Sequence, residues 1–312
     1  MSADAAPDER DDPSTATDTP AVTARNVHKA FGDDGVLDGV DLTVRENEAL
    51  LLMGPNGTGK TVLLSCLAGS IEPTEGEIRL FGEPVADDGG HSLSLLLQGG
   101  ASVDSLSGRE TAAFYAGLHP EFTDRWRDLV AEFGLADELD KRAKHYSEGM
   151  KRKLELALAL AVDTPLYLLD EPTAGVDLSV VQTFHRAIRD RVEAGGTVVA
   201  TSHRPVDAAF ADRIAFVTGD GVTAVDAPDR LLDAVPETVR IVGGPPRTDA
   251  FEPHVVDGRL FHHGDERRGF LADGTTLGDV TAAAPPETTV ETVEPSYTDA
   301  FNYYVHTVGD DE

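Results

Sequence analysis

Along most of the chain, short apolar runs alternate with stretches whose apolar positions recur at helical spacing. The pattern starts at Ala21. Partial alternation over residues 22–31 and 36–44 predicts two strands, joined by the turn-forming Gly32-Asp33-Asp34-Gly35. Residues 49–53 are wholly apolar and predict a buried strand, which runs straight into a glycine-bearing loop and a helix over 61–67 ending near Gly69. Further strands are expected at 77–81 and 93–97. The middle section is different, with helical spacing over 109–118, 124–133 and 150–161. A strand at 166–169 follows, then a long amphipathic helix over 178–193 closed by Gly195-Gly196. Strands at 197–201 and 214–217 flank a short helix at 206–211. Continuous apolar strands interleaved with helices imply a largely parallel sheet covered on both faces. Residues 100–164 are long enough to form a helical insert.

Both ends of the chain break this pattern. Residues 1–20 hold six acids against one Arg among Ala, Ser, Thr and Pro, so they predict an acidic, solvated tail with no core. Beyond residue 220, Pro228, Pro236, Pro245-Pro246 and Pro285-Pro286 interrupt the chain, and only 238–241 and 288–293 read as strands. A small α+β appendage over 221–312 is expected.

The chain has 312 residues, of which 40% are hydrophobic, which suits a globular protein with a sizeable core. No run approaches the ~20 apolar residues of a membrane span. The best stretch, 154–162, contains Glu155. Asp and Glu total 56 against 26 Lys and Arg, for a formal charge of -30. Six of those 26 are Lys and the rest Arg, and an acidic, Lys-poor composition resembles that of salt-adapted proteins, whose carboxylates are screened by dense counterions. Such a surface repels phosphate backbones, so no nucleic-acid partner is expected. Cys66 is the only cysteine; it excludes an internal disulfide and, on an apolar helix face, reads as core. No basic-then-apolar leader opens the chain, so the cytoplasm is the expected compartment.

The strongest chemical signal is Gly54-Pro55-Asn56-Gly57-Thr58-Gly59-Lys60-Thr61, set between a strand and a helix. Glycines let the backbone turn its N–H groups inward toward phosphate oxygens, and the helix adds its positive end. Lys60 would reach the outer phosphates and the Thr61 hydroxyl a Mg2+ ion. The second signal is Asp170-Glu171 at the end of the apolar strand 166–169. Two carboxylates on a buried strand are costly without a cationic partner. Asp170 would hold the metal shell and Glu171 would act as general base on an attacking water.

Five further motifs resemble, in order and spacing, the ATP-binding cassettes of ABC transporters. Tyr146-Ser147-Glu148-Gly149-Met150 is similar to that family's signature, Gln98 to its Q-loop glutamine, Ala174-Gly175-Val176-Asp177 to its D-loop and His203 to its switch histidine. Phe31 sits where the family stacks an aromatic on adenine. The resemblance spans about residues 22–220. It implies a P-loop NTPase fold: a mostly parallel core sheet, an antiparallel β subdomain and a helical signature subdomain. It also implies ATP and Mg2+ as ligands, with Gln98 sensing Mg2+ and the attacking water. Ser147 and the Gly149 N–H would reach the γ-phosphate held by Lys60 of a second cassette, identical or different, and Asp177 would line the seam. The signature departs from the family's Leu-Ser-Gly-Gly-Gln at Tyr146, Glu148 and Met150; a carboxylate beside a triphosphate is unfavourable unless Glu148 points outward.

Bland readings stand beside these. Gln98 and His203 are also ordinary strand-end residues, Phe31 a core aromatic, and Asp177 an N-cap of the 178–193 helix. Lys141, Arg142, Lys144, His145, Lys151, Arg152 and Lys153 form a basic group around the signature, and His254, His262 and His263 read as exposed histidines rather than a metal site. Residues 293–301 resemble the closing segment of drug-resistance-type exporter ATPases, with a tail strand as the alternative. The implied function is ATP hydrolysis coupled to a separately encoded multi-span permease, at the inner face of the cell membrane. A soluble non-transport cassette ATPase and a nucleotide-binding regulatory switch remain the other readings.

Overall fold

The computed structural model describes residues 20–88, 90, 92–97, 104–219, 221–244 and 249–308. Gln98 and residues 1–19, where the acidic tail is expected, lie outside the described residues.

Strands β1 (Val22–Phe31) and β2 (Asp34–Val44) form the expected hairpin. Strand β3 (Ala49–Met53) leads through the glycine loop into helix α1 (Lys60–Leu67). Strands β4 (Glu75–Leu80) and β5 (Glu83–Pro84) return to the hairpin, giving an antiparallel sheet of order β2-β1-β4-β5. A single turn, α2 (Val85–Asp88), precedes β6 (Leu93–Leu96). The helical stretch contains α3 (Gly108–Leu118), α4 (Trp126–Glu132) and α5 (Glu148–Leu160). It is followed by β7 (Leu166–Leu169), α6 (Leu178–Glu193), β8 (Thr197–Ser202), β9 (Arg213–Thr218) and β10 (Gly221–Asp226).

The central sheet has the order β10-β9-β3-β8-β7-β6. It is parallel from β9 to β6, with β10 antiparallel at one edge. The inner strands read as continuous apolar runs because both their faces are buried. In β3, Ala49, Leu51 and Met53 enter one hydrophobic cluster with α5 and α6. Leu50 and Leu52 enter another with α1 and the antiparallel sheet. The two-residue period of a strand thus divides one pentapeptide between two cores.

Two expectations need correction. The helix expected over 124–133 begins only at Trp126, after a turn in which the Asp124 and Arg125 carbonyls accept from the Arg127 and Asp128 N–H groups. The segment at 206–211 is a 3-10 turn, Pro205–Phe210, rather than an α-helix.

Past residue 226, α7 (Pro228–Asp233), β11 (Thr238–Gly243), β12 (Phe261–His263), β13 (Glu266–Phe270), α8 (Leu277–Ala283), β14 (Thr288–Val293) and α9 (Tyr297–His306) complete the chain. The strands make a third sheet, β12-β13-β11-β14, wholly antiparallel. Around Val239, Ile241, Phe251 and Val280 it has a small core of its own. Residues 293–301 are not a tail strand: β14 ends at Val293 and a helix begins. The Ser296 hydroxyl accepts from the Asp299 N–H while the Asp299 carboxylate accepts from the Ser296 N–H, a reciprocal capping box. Arg268 donates to the same carboxylate at 2.8 Å, fixing α9 to β13.

Helix α9 then returns to the central sheet. Tyr304 stacks on Phe216 of β9 with ring centroids 4.8 Å apart, and its hydroxyl donates to the Leu231 carbonyl at 3.1 Å. Removing this buried ring in Tyr304→Ala should cost ~3–5 kcal/mol, as for other large aromatic truncations. Tyr304→Phe loses only the hydroxyl bond and should cost ~1 kcal/mol. Equilibrium urea unfolding measures both; equal midpoints for Tyr304→Ala and wild type would show that α9 carries no weight.

Candidate active site

Three adjacent strands, β3, β8 and β7, end at the same edge of the central sheet, and each delivers polar groups there. This carboxyl edge is where ligands bind in open parallel sheets. The loop after β3 needs its glycines. A side chain at Gly54 would lie 2.0 Å from the Val217 carbonyl oxygen. Gly59 starts α1 at φ 85°, a left-handed conformation that a side chain would strain. Lys60 is buried, and its amino group donates to the loop carbonyls of Gly54 at 2.8 Å and Pro55 at 2.6 Å. Desolvation lowers its pKa, while the charges of Glu171 and Asp170 oppose that shift.

Asp170 has no exposure at all. Its carboxylate accepts from the Thr61 hydroxyl, 3.0 Å from both oxygens, and from Thr201 at 2.6 Å. Glu171 leaves the strand at φ 49°, an uncommon conformation for a residue with a side chain. The Thr201 hydroxyl accepts its N–H at 2.9 Å. One carboxylate oxygen of Glu171 lies 2.9 Å from His203 Nδ1. The other is buried without a hydrogen-bond partner among the described residues. Together, Asn56, Gly57, Gly59, Lys60, Thr61, Glu171 and His203 line a cavity of about 300 Å3.

The remaining expected residues stand elsewhere. Phe31 is 49% exposed, with the Lys29 amino group 5.0 Å from its ring centroid, so it is not the core aromatic of the bland reading. It does not line the cavity. Neither do Ser147, Gly149 or Asp177. Ser147 caps α5 by accepting from the Met150 N–H at 3.2 Å. Gly149 abuts Gly175, whose carbonyl oxygen would be 3.0 Å from an added Cβ, so the signature-like and D-loop-like segments adjoin. Asp177 occupies the N-cap position of α6, but its side chain makes no capping bond. Glu148 points outward, with its side chain 85% exposed and 3.6 Å from the Lys151 amino group.

The comparisons with known proteins agree with this geometry. The protein-family model described as ABC transporter matches residues 37–174. The daunorubicin resistance ATP-binding protein DrrA3 of Streptomyces coeruleorubidus is 34% identical over 219 residues, covering 68% of this chain and 69% of that protein. The chain belongs to the ATP-binding subunits of ABC transporters. Importers are as similar as exporters: a hemin import ATP-binding protein of Streptomyces coelicolor is 35% identical over 213 residues, covering 65% of this chain and 76% of its own. A solved ATP-binding subunit of an ABC transporter has a TM-score of 0.62 at 22% identity, over 68% of this chain and 92% of that one. A dimeric ATP-binding cassette in a post-hydrolysis state with ADP and Pi scores 0.60 at 22% identity, over 66% and 98%. As a member of this family of ATPases the chain binds ATP, on the P-loop NTPase fold.

Several residues of the ATPase site escaped the sequence. Arg152, a member of the basic group around the signature, is buried. Its guanidinium donates to the Asp170 carbonyl, to the Glu171 carbonyl at 2.7 Å and to Glu155 at 3.3 Å. A charge inside an apolar run with an opposite charge three residues earlier was the available signal, since positions i and i+3 share a helix face. Thr201 was passed over because a threonine in a strand looks ordinary. Cys66 is buried as expected, and burial pushes its thiol pKa up.

Truncating Arg152 to Ala would strand the Glu155 carboxylate and two strand-end carbonyls. A broken buried pair of this kind costs ~3–5 kcal/mol. The double variant Arg152→Met/Glu155→Leu should recover only the share due to the unpaired Glu155 charge, because Met offers no donor to the Asp170 and Glu171 carbonyls. Urea unfolding of both variants measures this, and equal losses in the two would contradict it.

Proposed function

We propose that this chain is the Mg-ATP-hydrolysing subunit of a membrane exporter, coupling closure of two cassettes to a separately encoded multi-span permease. The observation that carries the hydrolytic part is Glu171: it lines the cavity beside Lys60, with one carboxylate oxygen 2.9 Å from His203 and the other without a hydrogen-bond partner among the described residues. Such a group can take the proton of a water in line with the γ-phosphate as ADP leaves.

Thr61 and Asp170 place hard oxygen ligands within 3.0 Å of each other, a donor set that suits Mg2+. When bound, that ion would draw charge from the phosphate oxygens. Lys60, now hydrogen-bonded to its own loop, would exchange two carbonyl partners for phosphate oxygens. The loop N–H groups beyond Pro55 and the positive end of α1 would add to that attraction. Phe31, exposed at the end of β1, would stack on the adenine, and Gln98 would sense the metal and water. Ser147, Gly149 and Asp177 lie outside the cavity, so we assign them to the partner cassette's nucleotide across a dimer seam, identical or heterologous. In the single chain the Glu148 carboxylate is solvated and 3.6 Å from the Lys151 amino group, which offsets part of its charge.

The organisation we propose is a cassette over residues 21–220, with its helical part at about 100–164, and an accessory region over 221–312 whose first strand, β10, completes the edge of the cassette sheet. Export rests on the resemblance of residues 293–301 to the closing segment of drug-resistance-type exporter ATPases, since importers and exporters are equally similar over the cassette. No helix among the described residues is long and apolar enough to cross a membrane, so the transport path would belong to the permease, which holds this subunit at the inner face. The excess of 56 acids over 26 bases reads as adaptation to high salt.

Glu171→Gln should lower kcat by ~10²–10⁴-fold, the usual worth of a general base. It should also leave ATP binding intact and accumulate an ATP-dependent dimer in analytical ultracentrifugation. Wild-type turnover in that variant would overturn the assignment. Affinity purification from native membranes should recover a multi-span membrane protein; ribosomes or nucleic acid in its place would sink the transport reading.

Salt supplies an independent check. If the -30 charge is an adaptation to dense counterions, the urea midpoint should rise steadily from ~0.1 M to ~2 M KCl as carboxylate repulsion is screened. A flat or falling midpoint would argue against it.

A further inference from the structure

A second polar cluster contributes no residue to the lining of the cavity. Asp207 sits in the 3-10 turn Pro205–Phe210 and has no exposure. Its carboxylate takes three side-chain hydrogen bonds from three different segments. Ser202 Oγ lies 2.6 Å and Thr173 Oγ1 2.7 Å from Oδ2, and His185 Nε2 of α6 lies 2.8 Å from Oδ1. Ser202 immediately precedes His203, and Thr173 is the second residue after Glu171. The cluster therefore joins the two segments that present the His203–Glu171 pair.

The tie is closed on the far side of His203 as well. The Arg204 N–H donates to Ser202 Oγ at 2.9 Å, so one hydroxyl holds both neighbours of the histidine. The Arg204 guanidinium donates to the Thr173 carbonyl at 2.7 Å, and the Asp207 N–H to the Arg204 carbonyl at 3.0 Å. By contrast, the His203 ring is 42% exposed, with Glu171 as its side-chain partner. A half-exposed ring on a loop keeps its position only if the backbone beneath it is fixed. A buried carboxylate is costly unless donors surround it, so its retention here calls for an account.

We propose that Asp207, supported by His185, is the positioning residue that fixes the His203–Glu171 pair for hydrolysis. The inference rests on the hydrolytic roles assigned to those two residues and adds the element that sets their separation. Asp207 does not line the cavity, so its loss should leave nucleotide binding unchanged and act on turnover. Only an acceptor on the Oδ2 side is needed to keep the bracket. Asp207→Asn can keep its carbonyl oxygen there and turn its amide toward His185, whose Nε2 accepts in the neutral Nδ1–H tautomer.

The test is a double-mutant cycle on the full chain with Mg-ATP, reading kcat, the ATP dissociation constant and the urea midpoint. We expect Asp207→Ala to lower kcat ~10-fold or more with the dissociation constant unchanged, and Asp207→Asn to restore most of it. In a His203→Ala background, Asp207→Ala should change kcat by less than ~2-fold, because residues acting as one unit are non-additive. Full additivity, or a loss of kcat that tracks only the urea midpoint, would overturn the proposal and leave Asp207 a purely structural residue. Should Asp207→Ala fail to fold, Ser202→Ala cuts the same bracket at one hydroxyl and must show the same coupling. A wild type without turnover defeats the hydrolysis reading, and a His203→Ala variant with wild-type kcat defeats the role given to His203; each is recognisable as a different failure.

Discussion

The site is organised around one constraint: a carboxylate with no exposure, Asp170, stands at the end of a buried strand. Burying such a group is costly unless donors surround it. The donors come from both sides, Thr61 from the first turn of α1 and Thr201 from the neighbouring strand β8. Only a parallel sheet brings these ends together, because β3, β8 and β7 all finish at the same edge. The carbonyls of residues 170 and 171 are then covered by Arg152, which extends the constraint into α5. Helix, loop and strand ends thus have little freedom to move independently of one another.

The parts of this arrangement that were legible in the sequence have short-range signals. Strands β3 and β7 and helix α6 could be read because their apolar patterns are uninterrupted and their boundaries are marked by Gly, Asp or Pro. Lys60, Thr61, Asp170, Glu171 and His203 were legible because the chemistry they offer is unusual for their local context. Thr201, Arg152 and Asp207 were not, since each acts on a partner at least 18 residues away or makes an ordinary-looking polar contact that only the fold reveals. Strands β12 and β13 were missed for a related reason. Glu266, Arg267 and Arg268 look like solvated loop, yet they pair across the sheet with Val242, Ile241 and Arg240 of β11.

The C-terminal segment shows how a pattern without obvious chemistry acquires meaning from geometry. Pro295-Ser296 followed by Asp299 is an N-terminal capping box, and Asp299 also takes the Arg268 guanidinium. Those two bonds set where α9 starts and the direction in which it leaves the third sheet. Its apolar face, with Ala300, Tyr304 and Val305, then joins the same hydrophobic cluster as Ala208, Phe210 and Phe216.

That packing has a consequence for the ATPase site. Ala208 and Phe210 belong to the 3-10 turn that also carries Asp207, and α9 packs directly against it. One side of the turn is fixed by apolar contact with α9, the other by hydrogen bonds to Ser202, Thr173 and His185. Close-packed interiors transmit displacement rather than absorb it. A shift of α9 along β9 would have to repack Phe210, and Phe210 also touches the His185 ring at 5.2 Å between centroids. Helix α9 is therefore in continuous contact, through this turn, with the segment that bears His203.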